Sequence, residues 1–565
     1  MDETQRRVDA IRARRNEIEN HVIDEYVAGR ISRREFIRRG TVVGMSIPLV
    51  SFVAAACGGG GGGTSAVSGA QTGAAGNVKP GGTIRAGTSP PATKLNPLLV
   101  QDQGGLSVLS QSGEYLNFSD SKLQLQPVLA ESWEPNADAS AWTFKLRQGV
   151  TFQDGSPFTA NDVVGTFDRL SNPKTGGNAL SALGGYLKPG GTQAVDDTTV
   201  TFQLEAPNGN FPYLVSSDNY NAIILPADFD PDTWEKSFMG TGPWKMTNYT
   251  PKVGVTYTKN PDYWDPNQPL ADSLEMKFYA DEQAAVVAIQ GGQTDVQLQF
   301  SVAGGKALLD NPDISVIETP SAAHRQVHMR TDMEPFTDKR VRQAVALVLN
   351  REAIVQGLFD GLSDLGNDHP FAPVFPSTDT SVAQRKENVD QAKQLVADAG
   401  KSGGFSVKLE TWNGFEIPDY ATLIQNAAKQ IGGDIQLSIT DAATYYGDGT
   451  YGNSRWLDSV MGITEYGHRG VPNVYLDAPL KSTGTWNSAH FKNSTYDGLV
   501  NDYVAAVDLQ SQMSTAGKIE QLLLDETPII FAYFYYFLTA TKSNVAGVQP
   551  SAMGHLNLRE AGFVS

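Results

Sequence analysis

The sequence predicts an α/β fold, and three observations carry that prediction. Runs that alternate apolar and polar residues, at 142–146 and 199–204, read as strands. Segments with apolar residues at three- and four-residue steps read as helices. At 338–349, Val341, Val345, Val348 and Leu349 make one such face. The two kinds of segment are interleaved along the chain and no short-period repeat is visible, which argues against an all-β fold or a solenoid.

Taken in order, residues 1–31 predict a polar amphipathic helix, with Val8, Ile11, Ile18, Val22 and Tyr26 on one side. Residues 58–77 are Gly, Ser, Ala and Thr with almost no charge, a flexible tether whose r.m.s. reach is roughly 25 Å. Order is expected from Lys79, where a turn at Pro80-Gly81-Gly82 leads into a strand at 83–87. The turn Asp154-Gly155-Ser156-Pro157 precedes a helix at 160–170 that Thr159 or Asn161 can cap. Further helices are expected at 281–290, 388–399, 419–429 and 514–524. Trp133 and Trp142 are read as core residues.

Composition narrows the function. The formal net charge is −18 at pH 7, and residues 1–56 hold ten Arg against eight acids, so the body is more acidic still. Such a surface repels nucleic acid and anionic lipid. Cys57 is the only cysteine, which excludes intrachain disulfides, cysteine-rich zinc sites and iron–sulfur clusters. No Gly-x-Ser-x-Gly elbow, phosphate loop or His-Glu-x-x-His is present. His324 and His328 lie four apart on a predicted strand, roughly 13 Å, too far to share one ion. No metal, no cofactor and no enzymatic activity are expected.

Residues 32–57 hold the export information. Ser32-Arg33-Arg34-Glu35-Phe36-Ile37-Arg38 resembles the recognition element of twin-arginine (Tat) signals, with Arg33 and Arg34 as the pair. The apolar run 41–56 is shorter than the ~20 residues a membrane-spanning helix needs and fits the core of a cleaved signal. Ala54, Ala55 and Ala56 then lead to Cys57, as in a lipoprotein processing site. This order implies a cytoplasmic leader at 1–31, a signal at 32–57, lipidation of Cys57, and a body tethered outside the membrane by 58–78.

From Lys79 onward the chain resembles the family 5 extracellular solute-binding proteins, the peptide- and nickel-type receptors of ABC importers. The residues that carry the likeness run in order. They include Pro80-Gly81-Gly82-Thr83-Ile84-Arg85, Pro127-Val128-Leu129-Ala130-Glu131-Ser132-Trp133, Gly240-Thr241-Gly242-Pro243-Trp244, Asn260-Pro261-Asp262-Tyr263-Trp264 and Pro335-Phe336-Thr337-Asp338-Lys339-Arg340-Val341-Arg342. The resemblance implies the two-lobed periplasmic-binding-protein fold with a hinge. Lobe one would be 79–320 plus 528–565, with an extra subdomain inserted near 111–210. Lobe two would be 321–527.

The same resemblance implies the site. In peptide-binding relatives, an acid just before an aromatic residue in lobe two holds the ligand's α-ammonium; here these are Glu465 and Tyr466. The family's following Asp-Pro is replaced by Gly-His-Arg-Gly-Val-Pro, which offers His468 and Arg469 to a ligand carboxylate. Trp412, Phe415, Tyr446 and Trp486 could wall the pocket, with core packing an equal reading for each. The implied function is capture of an oligopeptide or related amine-bearing solute by lobe closure, and its delivery as a monomer to an ABC permease. The alternatives left open are an oligosaccharide or metal-chelate ligand, or a ligand-sensing receptor coupled to a signalling partner.

Overall fold

The structure, a computed structural model, describes residues 78–564 apart from 176, 231–233, 238–239 and 448. The expected leader, export signal with Arg33, Arg34 and Cys57, and all but the last residue of the tether lie outside the described residues.

Two large mixed sheets organise the chain. The first has seven strands in the order Ile314–Thr319, Phe537–Lys542, Val296–Phe300, Thr83–Thr88, Ser273–Phe278, Gly254–Lys259 and Trp244–Thr250. Thr83–Thr88 pairs in parallel with both its neighbours, and its Ile84 and Ala86 are fully buried. Helix Gln103–Ser112 packs on this sheet, where the Tyr257 hydroxyl donates to the Val108 carbonyl at 2.9 Å.

Between Thr88 and Trp244 the chain builds a separate four-stranded antiparallel sheet, ordered Ala130–Pro135, Ala141–Leu146, Thr199–Gln203, Thr192–Asp196. Phe144 and Phe167 meet Phe202 edge-on at 5.3 and 5.1 Å, and Trp133 stacks over Phe144. Trp142 is buried and donates its indole N–H to the Asn208 carbonyl at 3.1 Å, so both tryptophans serve packing. Helix Ala160–Leu170 starts at Thr159, whose backbone N–H donates to the Asp162 carboxylate at 2.7 Å.

The second large sheet has six strands in the order Ser363–Leu365, Ile529–Tyr535, His324–Met329, Met461–Tyr466, Phe405–Trp412 and Gly433–Thr440. Helices cover both its faces, so its central strand His324–Met329 is buried at all six positions. A strand enclosed on both faces cannot alternate between core and solvent. The polar residues of this strand are therefore forced into packed surroundings. Helices Lys339–Leu347, Arg351–Phe359, Val389–Asp398 and Ile417–Ala428 pack on the face carrying Val327, Met329, Met461 and Ile463. Helices Ser494–Ala505 and Leu509–Glu526 pack on the other.

Sequence-level capping explains where these helices begin. Asp281, Asp338 and Asn388 each accept a backbone N–H from the first turn that follows. Helix Leu509–Glu526 starts ahead of the expected Ser514 because Asp508 caps it, accepting the Ser511 N–H at 2.8 Å.

The chain passes between the two large sheets twice, through residues 320–323 and through Tyr536. The passages are tied together: the Ser321 hydroxyl donates to the Tyr535 carbonyl at 2.5 Å, and the Tyr535 N–H to the Ala323 carbonyl at 3.1 Å.

Candidate ligand-binding site

Beside these passages sits a cluster of one guanidinium and two carboxylates. Arg325, the second residue of its strand, lies opposite Glu465 in antiparallel register. Cross-strand partners share a face, and the Arg325 Nη1 stands 3.7 Å from the Glu465 carboxylate. On the other side its Nε lies 3.1 Å from the Glu416 carboxylate, just before helix Ile417–Ala428. Arg325 Nη1 also donates to the Tyr535 hydroxyl at 3.0 Å, and its guanidinium lies 4.6 Å from the Tyr535 ring centre and 4.9 Å from that of Phe415. Glu416 accepts a further bond from the Tyr533 hydroxyl at 2.9 Å.

The partners differ in exposure, and that difference matters. The Arg325 side chain is 3% exposed and that of Glu416 15%, whereas Glu465 is 37% exposed. Burial raises the Glu465 pKa, Arg325 opposes the rise, and the Glu416 charge adds to it. Trp412, Phe415 and Tyr446 gather around this cluster: Trp412 meets Phe415 at 5.7 Å and Tyr446 at 6.1 Å between ring centres. Phe415 is 70% exposed at a positive φ of 52°, so its loop offers an apolar ring to solvent.

The other four predicted residues lie elsewhere. Tyr466 points to the opposite face, stacked on His324 at 5.5 Å and packed in the core with Tyr475. His468 is buried, and its Nδ1 accepts the Ala322 N–H at 3.0 Å, which fixes the first passage between the sheets. Burial pushes its pKa down to about 3, so the ring is neutral and suited to accept. Arg469 and Trp486 line a cavity of about 190 Å³, with Tyr186, Tyr213, Asp218 and Asp477. Trp486 also packs against the cluster of Tyr445, Trp456 and Leu457, against which Trp412 and Tyr446 pack too, and meets the Tyr466 ring at 6.2 Å.

This cavity opens where residues 181–219 meet the loop after Met461–Tyr466. Asp218 comes so close to Gly470 that a Cβ at 470 would fall 1.7 Å from its Oδ2. That oxygen is buried without a hydrogen-bond partner, and burial pushes the Asp218 pKa up to about 7. Nearby, the Asn210 amide donates to Asn473 at 3.1 Å and the Gln512 amide to Asn210 at 3.0 Å. At 190 Å³ the cavity is smaller than the ~300–1,000 Å³ usual for a whole ligand, so it has room for part of one.

Eight predicted residues thus divide into Glu465 with Trp412, Phe415 and Tyr446, Arg469 with Trp486, and two structural residues, Tyr466 and His468. Sequence reasoning missed Arg325, Glu416, Tyr535 and Asp218. Arg325 carried a signal, being a charge inside an otherwise buried strand. Glu416 and Asp218 carried none, because acids in polar loops are ordinary.

The comparisons agree with this architecture. The family described as bacterial extracellular solute-binding proteins, family 5 middle, matches residues 124–465. The glutathione-binding protein GsiB of Shigella dysenteriae is 25% identical over 466 residues, 80% of this chain and 89% of that protein. The dipeptide-binding protein DppE of Bacillus subtilis is 25% identical over 465 residues, 77% of this chain and 83% of that one. HbpA2 from Haemophilus parasuis superposes with a TM-score of 0.76 at 22% identity, covering 86% of this chain and 100% of the other. With the match running through both large sheets and the insertion between them, the chain belongs to the family 5 bacterial extracellular solute-binding proteins.

Proposed function

We propose that this protein captures a short peptide or a related amine-bearing solute between two lobes and passes it to an ABC permease. Lobe one, expected at 79–320 and 528–565 with the subdomain near 111–210, and lobe two, expected at 321–527, part instead at Tyr536, because strand Ile529–Tyr535 belongs to the six-stranded sheet of lobe two. The protein acts as a monomer, exported through Arg33 and Arg34, cleaved from its leader and held at the outer face of the membrane by a lipid on Cys57. It performs no chemistry of its own. Two passages between the lobes form the hinge, and ligand binding selects the closed arrangement.

The observation that carries the ligand class is Glu465, a part-exposed carboxylate beside the hinge with an aromatic surround. A carboxylate in such a setting holds an ammonium strongly. Arg469, in the neighbouring cavity, is suited to a ligand carboxylate. Two relatives are named for glutathione and for dipeptides, both short molecules with a free amine and a carboxylate.

Native mass spectrometry of the protein purified gently from its own host tests the reading. A co-purifying adduct that fragments as a peptide is the expected result. A sugar or a metal chelate in its place would overturn the ligand class.

A further inference from the structure

The site as predicted from the family needs one acid, yet the structure contains two acids and an arginine. The charged groups that act on Glu465 are Arg325 and Glu416, so the cluster carries one net negative charge. Its geometry is uneven. Arg325 lies 3.1 Å from Glu416 but 3.7 Å from Glu465, and its guanidinium lies over the Tyr535 and Phe415 rings. Tyr533 fixes Glu416 in turn. The less exposed acid, Glu416, has the closer ion pair with the arginine, although Arg325 Nε makes no aligned hydrogen bond to it, and the part-exposed acid is left with the longer contact.

Building on the amine-ligand reading above, we infer that Glu416 is a positioning and specificity residue. By holding Arg325, it keeps Glu465 free to bind a single ligand ammonium. Without Glu416, Arg325 is free to pair fully with Glu465, and the anchor becomes neutral. Without Arg325, two close carboxylates share a proton, and the anchor accepts an ammonium only at higher pH. The cluster thus selects ligands that present one cationic group to the cleft, and a ligand with an acylated amine gains nothing there.

A charge cycle separates this role from simple packing. The purified full-length chain is titrated calorimetrically with alanyl di- and tripeptides and glutathione, each with a free and an N-acetylated amine. Glu416→Gln is expected to weaken free-amine binding about tenfold or more and to leave the acetylated forms unchanged. The double variant Arg325→Gln/Glu416→Gln restores the net charge of −1 and is expected to return within about threefold of the parent. A purely structural Glu416 predicts the reverse, since two lost contacts do more damage than one. If Glu416→Gln fails to fold, Arg325→Gln alone reads the same charge count: the pH midpoint of free-amine binding rises, and an unmoved midpoint overturns the inference.

The remaining outcomes are distinguishable. If Glu465→Gln loses free-amine affinity while Glu416→Gln keeps it, or the double variant stays as weak as the single, the inference falls and the ligand reading stands. If Glu465→Gln binds like the parent, or the parent binds none of these peptides, the ligand reading falls and takes the inference with it.

Discussion

Two charge clusters in the 321–527 region are near mirror images, and their contrast separates a saturated ion group from one proposed to bind a ligand. In the first, Asp368 sits between two arginines. Arg351 Nη2 reaches both its oxygens at 2.7 and 2.6 Å, Arg385 Nη1 reaches one at 2.6 Å, and the Phe531 N–H adds a bond at 3.2 Å. Its side chain is 0% exposed. In the second, one arginine serves two glutamates at 3.1 and 3.7 Å, and one glutamate remains 37% exposed. The first group is closed, with its anion saturated. The second has an anion that is part-exposed and has unused capacity. Bond saturation, more than charge itself, separates the closed cluster from the one with capacity to spare.

The largest expected effect breaks the first cluster. Asp368→Asn keeps the shape but leaves two buried guanidinium groups without an anion, which costs about 3–5 kcal/mol. That is a large share of the ~5–15 kcal/mol typical of folded proteins. Urea unfolding should show it, and a loss under about 1 kcal/mol would mean that the Asp368 cluster is not the structural pin described here. The second cluster should behave oppositely. Glu465→Ala is expected to change unfolding by less than about 1 kcal/mol, since Glu416 still holds Arg325, yet to weaken amine-ligand binding by about 2–3 kcal/mol. A variant that loses stability but keeps its affinity would reverse the two assignments.

Much of the fold was legible in the sequence. Period-two runs and capping residues are local signals, so strands such as Ala141–Leu146 and helix starts at Asp281 and Asn388 could be read directly. Of the candidate site, the family resemblance offered Glu465, which the structure places part-exposed beside Arg325. Tyr466 shows why the rest was not legible: adjacent residues on a strand face opposite sides, so the neighbour of part-exposed Glu465 turned into the core. His468 looked like a ligand group but serves the Ala322 N–H across 146 positions of sequence. Glu416 and Asp218 acquire their roles only when distant segments meet, and no local pattern encodes that.

A smaller effect is expected where the region of Asp218 touches the loop at Gly470. Gly470→Ala forces a methyl group to within 1.7 Å of the Asp218 carboxylate. The two surfaces must then separate, and the closed arrangement is disfavoured by about 1–2 kcal/mol. Peptide affinity should fall about tenfold, and small-angle scattering of the ligand-bound variant should report a more open particle. Unchanged affinity would remove this contact from the closing mechanism.

The smallest effect concerns pH, where Asp218 and Glu465 act in opposite directions. Burial raises the Asp218 pKa from its usual value near 3.8 to about 7. With the loop of Gly470 against it, Asp218 therefore holds its proton more tightly than an exposed aspartic acid would. Its stabilising contribution is full below about pH 4 and is lost as pH rises toward about 7. Glu465 must be ionised to hold an ammonium, and its raised pKa makes binding fail, as pH falls, sooner than at an exposed glutamate. Together they predict a bell-shaped affinity profile for a free-amine peptide, with an acid limb from Glu465 and a shallower alkaline limb from Asp218. Measured from about pH 6 upward, Asp218→Asn should flatten the alkaline limb, a change of order 1 kcal/mol, and leave the acid limb in place. Should the alkaline limb persist in that variant, the closing of the loop on Asp218 would not be coupled to its proton. The Gly470 contact would then act through shape alone.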